Sequence, residues 1–189
     1  MNTEEAIKLR EEHEFWARGA PRTGYEYLLK FFPGYDYHKT LSEFRLHVDF
    51  SRADNIVGHQ QRAFNVYWAI QQCWMTGEVG LELGYGGVTT PWCLATDSRR
   101  GADCYGGTVD PALVVRGEDP SPFGTQCFNL VLANHVLEHL EGDLYEIFVA
   151  WHRVIKPGGI FAVILPDQRY NDVMKMDSDH KQAWKAPDF

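Results

Sequence analysis

Several common features are missing from this sequence, and each absence narrows its class. Four cysteines in 189 residues, Cys73, Cys93, Cys104 and Cys127, show neither CxxC spacing nor the density of a disulfide framework. The first residues, MNTEEAIKLREEHEF, hold no apolar signal region, and no apolar run approaches the ~18 residues needed to cross a bilayer. A soluble protein of the reducing cytoplasm, without membrane contact, is the expectation. Positive charge is thin as well: 18 Lys and Arg stand against 26 Asp and Glu, for a net charge of −8, and no basic cluster exceeds Arg99-Arg100. That balance disfavours nucleic acid, whose binding depends on phosphate neutralisation. No internal repeat is visible.

What remains is the material of one globular domain, with 44% hydrophobic and 14% aromatic residues to bury. The most informative stretch runs from Cys127 to Asp167. CFNLVLAN is a short apolar run of the kind a buried parallel strand shows, DLYEIFVAWHRVI has apolar residues at helical spacing, and IFAVILP is a second buried run. Asp143 with Glu146 predicts a capping box at the helix start, and Lys156-Pro157-Gly158-Gly159 predicts its end. Such a βαβ unit belongs to a doubly wound sheet, whose ligands bind beyond the carboxyl ends of the strands, so Asn134, His135 and Asp167 fall on the functional edge.

Upstream, strands are predicted over residues 79–83, 92–96 and 112–115. Helices are predicted over residues 3–18, weakly over 25–32, and over 55–75. The expected organisation is a helical lid or brace over residues 1–75 and an α/β Rossmann-like core over 76–189, with a mostly parallel sheet of about five strands.

The first strand ends in GLELGYGG, residues 80–87, where glycines let the backbone turn tightly and approach a ligand. The next strand ends in Asp97, a carboxylate able to accept hydrogen bonds from both hydroxyls of a ribose. A nucleoside site is the functional reading; an ordinary surface turn with Asp97 as its cap is the plain one.

The segments LELGYGG (81–87), ATD (95–97), SPF (121–123), FNLVLANHVLEHL (128–140) and WHRVIKPGGIFAVILPD (151–167) together resemble the class I S-adenosylmethionine-dependent methyltransferases. The likeness is to the subgroup, of the type 11 kind, with a short link between the first two strands. It implies S-adenosylmethionine as cofactor, with its methionine part at Glu82, Gly84 and Gly86, its ribose at Asp97 and its adenine at Gly117, Glu118 and Asp119. Tyr85, Asn134 and His135 complete the expected cofactor-side positions. The chain departs from the family pattern at Val88, where a further glycine is usual, and at Gly117, where an aspartate is usual and for which Glu118 or Asp119 would substitute. The full fold also has two more strands after the fifth, whereas 22 residues follow Asp167. The edge beside strand five would then be covered by the amino-terminal segment, the tail, or a partner chain such as a homodimer mate.

Methyl transfer from a sulfonium is an in-line displacement that asks the protein for alignment and exclusion of water. A base is useful only for an acceptor whose proton has a high pKa. His135 is the best-placed catalytic candidate, its alternative being to order the loop by local hydrogen bonding. Tyr85 and Tyr170 are candidates to line the pocket of a small-molecule acceptor. No metal is expected. A competing pattern, His135-x-x-Glu138-His139, fits the inverted zinc-hydrolase motif but lacks an evident third ligand. A nicotinamide dehydrogenase would need glycine where Thr89 stands. The alternative from a different class is a non-catalytic, methyltransferase-like binding or regulatory subunit.

Overall fold

A computed structural model describes residues 1–16, 64–65, 67–86, 90–102, 108–170 and 172–185. The helix expected near Tyr25 to Phe32, most of the amino-terminal half of the 55–75 helix, and Gly87, Val88, Thr89 and Cys104 lie outside the described residues. The elements are α1 (Thr3–Trp16), a π-helical turn (Ile70–Trp74), β1 (Gly80–Leu83), β2 (Cys93–Asp97), β3 (Gly101–Ala102), β4 (Thr108–Val109), β5 (Leu113–Val114), β6 (Phe128–Asn134), a 3-10 turn (Leu137–His139), α2 (Leu144–Val154), β7 (Ile155–Ile164) and α3 (Val173–Met176).

Five strands form one parallel sheet in the order β5-β2-β1-β6-β7. The order reverses between β1 and β6, which opens a crevice at their carboxyl ends. This is the Rossmann-like α/β architecture expected from the sequence. Burial on both faces explains the continuous apolar runs: Phe128, Leu130, Val131, Leu132 and Ala133 of β6 are all 0% exposed. On one face Leu81, Leu83, Leu94, Val131 and Ala133 share a core with Ile147, Trp151 and Val154 of α2. On the other, Leu130, Leu132, Cys93 and Ala162 pack with Ala69 and Cys73 of the helical segment before β1.

The crossovers are lean. Among the described residues only β6-to-β7 is bridged by a regular helix, while β2 passes to β5 through the small antiparallel β3–β4 ribbon. Part of the missing cover comes from α1, whose Ala6 is fully buried in the same core as Trp151. Its start is fixed by a reciprocal cap, in which Glu5 N donates to Asn2 Oδ1 at 2.9 Å and Asn2 N donates to Glu5 Oε2 at 2.8 Å. The terminal amine of Met1 donates to Pro122 O at 2.7 Å and Thr3 Oγ1 to Cys127 O at 3.1 Å. These bonds anchor α1 at the amino end of β6, the edge opposite the crevice.

Asp143 caps α2 by accepting from Tyr145 N at 2.8 Å, one position short of the predicted partner Glu146. Lys156-Pro157-Gly158-Gly159 ends the helix as expected, but strand pairing resumes on both sides of it. Phe128 pairs with Ile155 and Leu130 with Ile160, so residues 156–159 bulge out of β7. Gly158 turns with φ +81, and a Cβ on Gly159 would stand 2.9 Å from Asn129 O and 2.7 Å from Ile155 Cγ2. Lys156 pairs with Glu78 beneath the bulge. No strand follows β7 among the described residues except the single bridge Asp167–Trp184. The tail instead crosses to the 3-10 turn, where Lys181 N and Gln182 N donate to Glu138 O at 2.7 and 3.2 Å. Among the described residues no helix is long and apolar enough to cross a membrane.

Since the atoms nearest a Gly159 Cβ include two backbone oxygens, Gly159→Ala should lower stability by about 1–3 kcal/mol. A lower urea midpoint with unchanged slope would show it; an unshifted midpoint would mean that the bulge relaxes freely.

Candidate functional site

The crevice is built on the carboxyl ends of β1, β2 and β6. Leu83 pairs with Ala133 and Glu82 with Ala95, so Asn134, Gly84 and Asp97 lie one or two residues beyond these pairs, at the carboxyl ends of β6, β1 and β2. Direct pairs set Ile164 beside Asn134 and Val114 beside Asp97 along this edge. Above it the chain turns at Gly84 and Gly86, both at φ +59, a conformation that favours glycine. Space makes the same demand. A Cβ at Gly84 would stand 2.6 Å from Val136 Cγ2, and one at Gly117 would stand 2.6 Å from Leu140 Cδ2 and 3.4 Å from Val136 Cγ1. The loops after β1, β5 and β6 therefore meet at Val136 and Leu140, and the glycine at position 117 is explained by packing.

Glu82 does not open into this crevice. It is 5% exposed, and its carboxylate accepts from Thr90 N at 2.7 Å and from Thr90 Oγ1 at 2.6 Å. It acts from below, tying the far end of the glycine loop to β1 through charge-assisted bonds. Asp97 is half-buried; its Oδ1 accepts from Arg99 N at 3.3 Å and its Oδ2 lies 3.5 Å from Gly86 N. Tyr85 N, one residue out of the β1–β2 register, donates to Thr96 O at 3.1 Å, while its hydroxyl accepts from Asp110 N at 3.0 Å. The ring therefore spans from the glycine loop to the segment after β4. Burial, reinforced by the charges of Asp110, Asp97 and Glu82, pushes the Tyr85 phenol above its usual range despite the opposing bond from Asp110 N.

The loop after β5 holds its acids locally. Glu118 pairs with Arg116 at 3.5 Å and lies 3.4 Å from Glu141 N. Burial alone would raise its carboxyl, but these bonds and its own backbone N–H outweigh burial and hold it below the usual range. Asp119 accepts from Ser121 N at 2.9 Å, and the Ser121 hydrogen bonds lower its pKa. Tyr170 lies on the surface at 79% exposure, beside an Asp167–Arg169 pair.

At the end of β6 two polar side chains stand out. Asn134 Oδ1 is buried without a hydrogen-bond partner. His135 adopts φ +51, donates its backbone N–H to Ile164 O at 2.9 Å, and places Nδ1 2.9 Å from Glu138 Oε1. A carboxylate only accepts, so Nδ1 carries the proton and Nε2 is the acceptor, on a ring 41% exposed. Glu138 is 0% exposed. The sequence suggests a solvated Glu138–His139 pair at the head of a helix and, for a zinc hydrolase, His135 and His139 on one helical face. The structure corrects both: residues 137–139 form one 3-10 turn, His135 precedes it in a left-handed conformation, and Glu138 is the buried partner of His135. The i,i+3 spacing of the two residues was the available signal. For Thr90, the clamp of Glu82, no motif was available.

Residues 81–163 match a family model described as a methyltransferase domain. No curated protein and no solved structure matches the chain.

A raised folded pKa means that the stability tied to the protonated Tyr85 phenol is complete below the unfolded value of 10.0 and is lost as pH rises through the folded value. Wild type should therefore lose melting temperature above about pH 10 more steeply than Tyr85→Phe, although the variant starts about 0.5–1.5 kcal/mol lower at neutral pH for want of the Asp110 bond. Melts between pH 8 and 11 test this, and parallel curves would remove Tyr85 as the titrating group.

Proposed function

We propose, on the premise that the chain belongs through residues 81–163 to the class I S-adenosylmethionine-dependent methyltransferases, that it holds S-adenosylmethionine over the carboxyl ends of β1, β2 and β6 and methylates a small-molecule acceptor. The observation that carries this reading is that Asp97, the turning Gly84 and the unpartnered Asn134 Oδ1 stand together at the carboxyl ends of three adjacent strands. The residues fit the group: a half-buried carboxylate for vicinal hydroxyls, a backbone with no side chain in the way, and a buried acceptor in want of a donor such as an ammonium.

When bound, the sulfonium supplies an electrophilic methyl group. The chain's own part is placement. Gly84 and Gly86 let the backbone come close, Asp97 fixes the sugar, and Val136 with Leu140 closes an apolar wall that keeps water out. His135 serves acceptors that must lose a proton. Its Nε2 takes the proton while Glu138 Oε1 holds Nδ1–H and stabilises the imidazolium that results. The net charge of −8 favours a neutral or cationic acceptor over a polyanion.

Isothermal titration of the chain with S-adenosylmethionine and with S-adenosylhomocysteine is the test, and failure of the folded chain to bind either would overturn the reading. Asp97→Ala should weaken binding by about 1–3 kcal/mol, roughly fivefold to 150-fold. His135→Ala should leave affinity near wild type and lower turnover about 10²–10⁴-fold on an acceptor that must be deprotonated; equal losses of binding and turnover would make His135 a loop-ordering residue.

A further inference from the structure

Beside the candidate methyl-transfer site, Glu138, His139 and His180 each present one ligand atom, and the three atoms lie within 4.8 Å of one another. Their hydrogen bonds assign which atoms are available. Glu138 Oε1 is taken by His135 Nδ1, whereas Oε2 is buried without a partner in a residue that is 0% exposed. His180 Nδ1 lies 2.6 Å from Val173 O, and since a carbonyl only accepts, Nδ1 carries the proton and Nε2 keeps its lone pair. The His139 and His180 rings meet edge to face with centroids 4.6 Å apart. Two imidazoles and a carboxylate, with Glu138 and His180 each held by a hydrogen bond through the atom not offered to the metal, form the donor set of a zinc site with a fourth position open.

We infer that Glu138, His139 and His180 bind one Zn²⁺ that fastens the carboxy-terminal tail to the 3-10 turn of the candidate site. Ligand atoms around tetrahedral zinc, with bonds of about 2.0–2.2 Å, stand roughly 3.4 Å apart. The three ligand atoms, already within 4.8 Å of one another, close to this spacing as the half-buried histidine rings turn toward the ion. The tail is already docked, because Lys181 N and Gln182 N donate to Glu138 O and Gln182 Nε2 donates to Leu140 O at 3.1 Å. The metal adds two bonds from the turn and one from the tail. It also gives the orphaned Glu138 oxygen a partner, which fixes the carboxylate that orients His135. Imidazole donors favour zinc over magnesium or calcium, which prefer all-oxygen shells. This ligand set is not the His-x-x-Glu-His pair, since His135 is a hydrogen-bond partner of Glu138 and His180 is the added ligand. The inference stands apart from methyl transfer and keeps its meaning if the chain binds no S-adenosylmethionine.

The test is metal content and affinity of the full chain, stripped with chelator, reloaded with ZnCl₂ and desalted. One zinc per chain is expected, with slower hydrogen exchange at Lys181 and Gln182 in the loaded form. Changing a residue that only hydrogen-bonds a zinc ligand costs about 10–100-fold, so loss of a ligand in His180→Ala or His139→Gln should weaken binding at least about 100-fold, with each variant checked for native circular dichroism. Absence of zinc from the reloaded wild type would overturn the inference. So would zinc retained equally by His180→Ala, or zinc that thiol alkylation of Cys73, Cys93, Cys104 and Cys127 abolishes.

Discussion

Val136 leaves no room for a Cβ at Gly84, and Leu140 leaves none at Gly117, so the segment leaving β6 is wedged between the loops that leave β1 and β5. Every feature of the carboxyl edge depends on that close approach. It closes the crevice from one side with apolar surface and forces the chain after Asn134 to turn at once. The turn is made by His135 in a left-handed conformation that costs a non-glycine residue about 1–2 kcal/mol. Two bonds hold it there, from its backbone to Ile164 and from its ring to Glu138. A residue kept in such a conformation at the end of a central parallel strand belongs to the class of strained positions from which function is reasonably inferred.

The sheet was legible in the sequence because its signal is burial itself. FNLVLAN reads as a strand because β6 is covered on both faces, and DLYEIFVAWHRVI reads as a helix because Ile147, Trp151 and Val154 repeat at the helical period on the face that meets the core. The expected strands at 79–83, 92–96 and 112–115 coincide with β1, β2 and β5 to within a residue or two at either end. The β3–β4 ribbon was invisible, since two-residue strands have no periodicity. The bulge at residues 156–159 was read as a turn, correctly for its glycines. The resumption of pairing through Ile155 depends on Phe128, 27 positions upstream, which no local pattern reports.

The candidate site was legible as a set of positions more than as a set of directions. Glycine pattern, strand ends and Asp97 pointed to the carboxyl edge of the sheet, and in the structure Asn134, Gly84 and Asp97 end three adjacent strands there. Where a carboxylate points depends on which donor reaches it first. Glu82 is met by Thr90, Glu118 by Arg116 and Glu141, and Asp119 by Ser121, and none of these pairings is set by the strand pattern. Gly117 shows the reverse case. Set against the family pattern it reads as a missing aspartate, while in the fold it is the residue that admits Leu140.

Two buried acids, Glu82 and Glu138, flank the crevice from the β1 and β6 sides, and burying a carboxylate is tolerated only when its oxygens are matched by donors. Glu82 meets that condition through the backbone and hydroxyl of Thr90, so its burial converts into a fixed loop. Glu138 meets half of it: His135 satisfies one oxygen, and the second is sealed from solvent with no donor. The tail bonds the backbone oxygen of Glu138 and brings His180 against His139, and it makes no hydrogen bond to the carboxylate itself. The same segment thus delivers a ring nitrogen with a free lone pair beside the buried oxygen. An acceptor facing acceptors is repulsive unless a cation stands between them. The polarity of this corner is therefore that of a cation site, whereas the matched donors around Glu82 are those of a structural clamp.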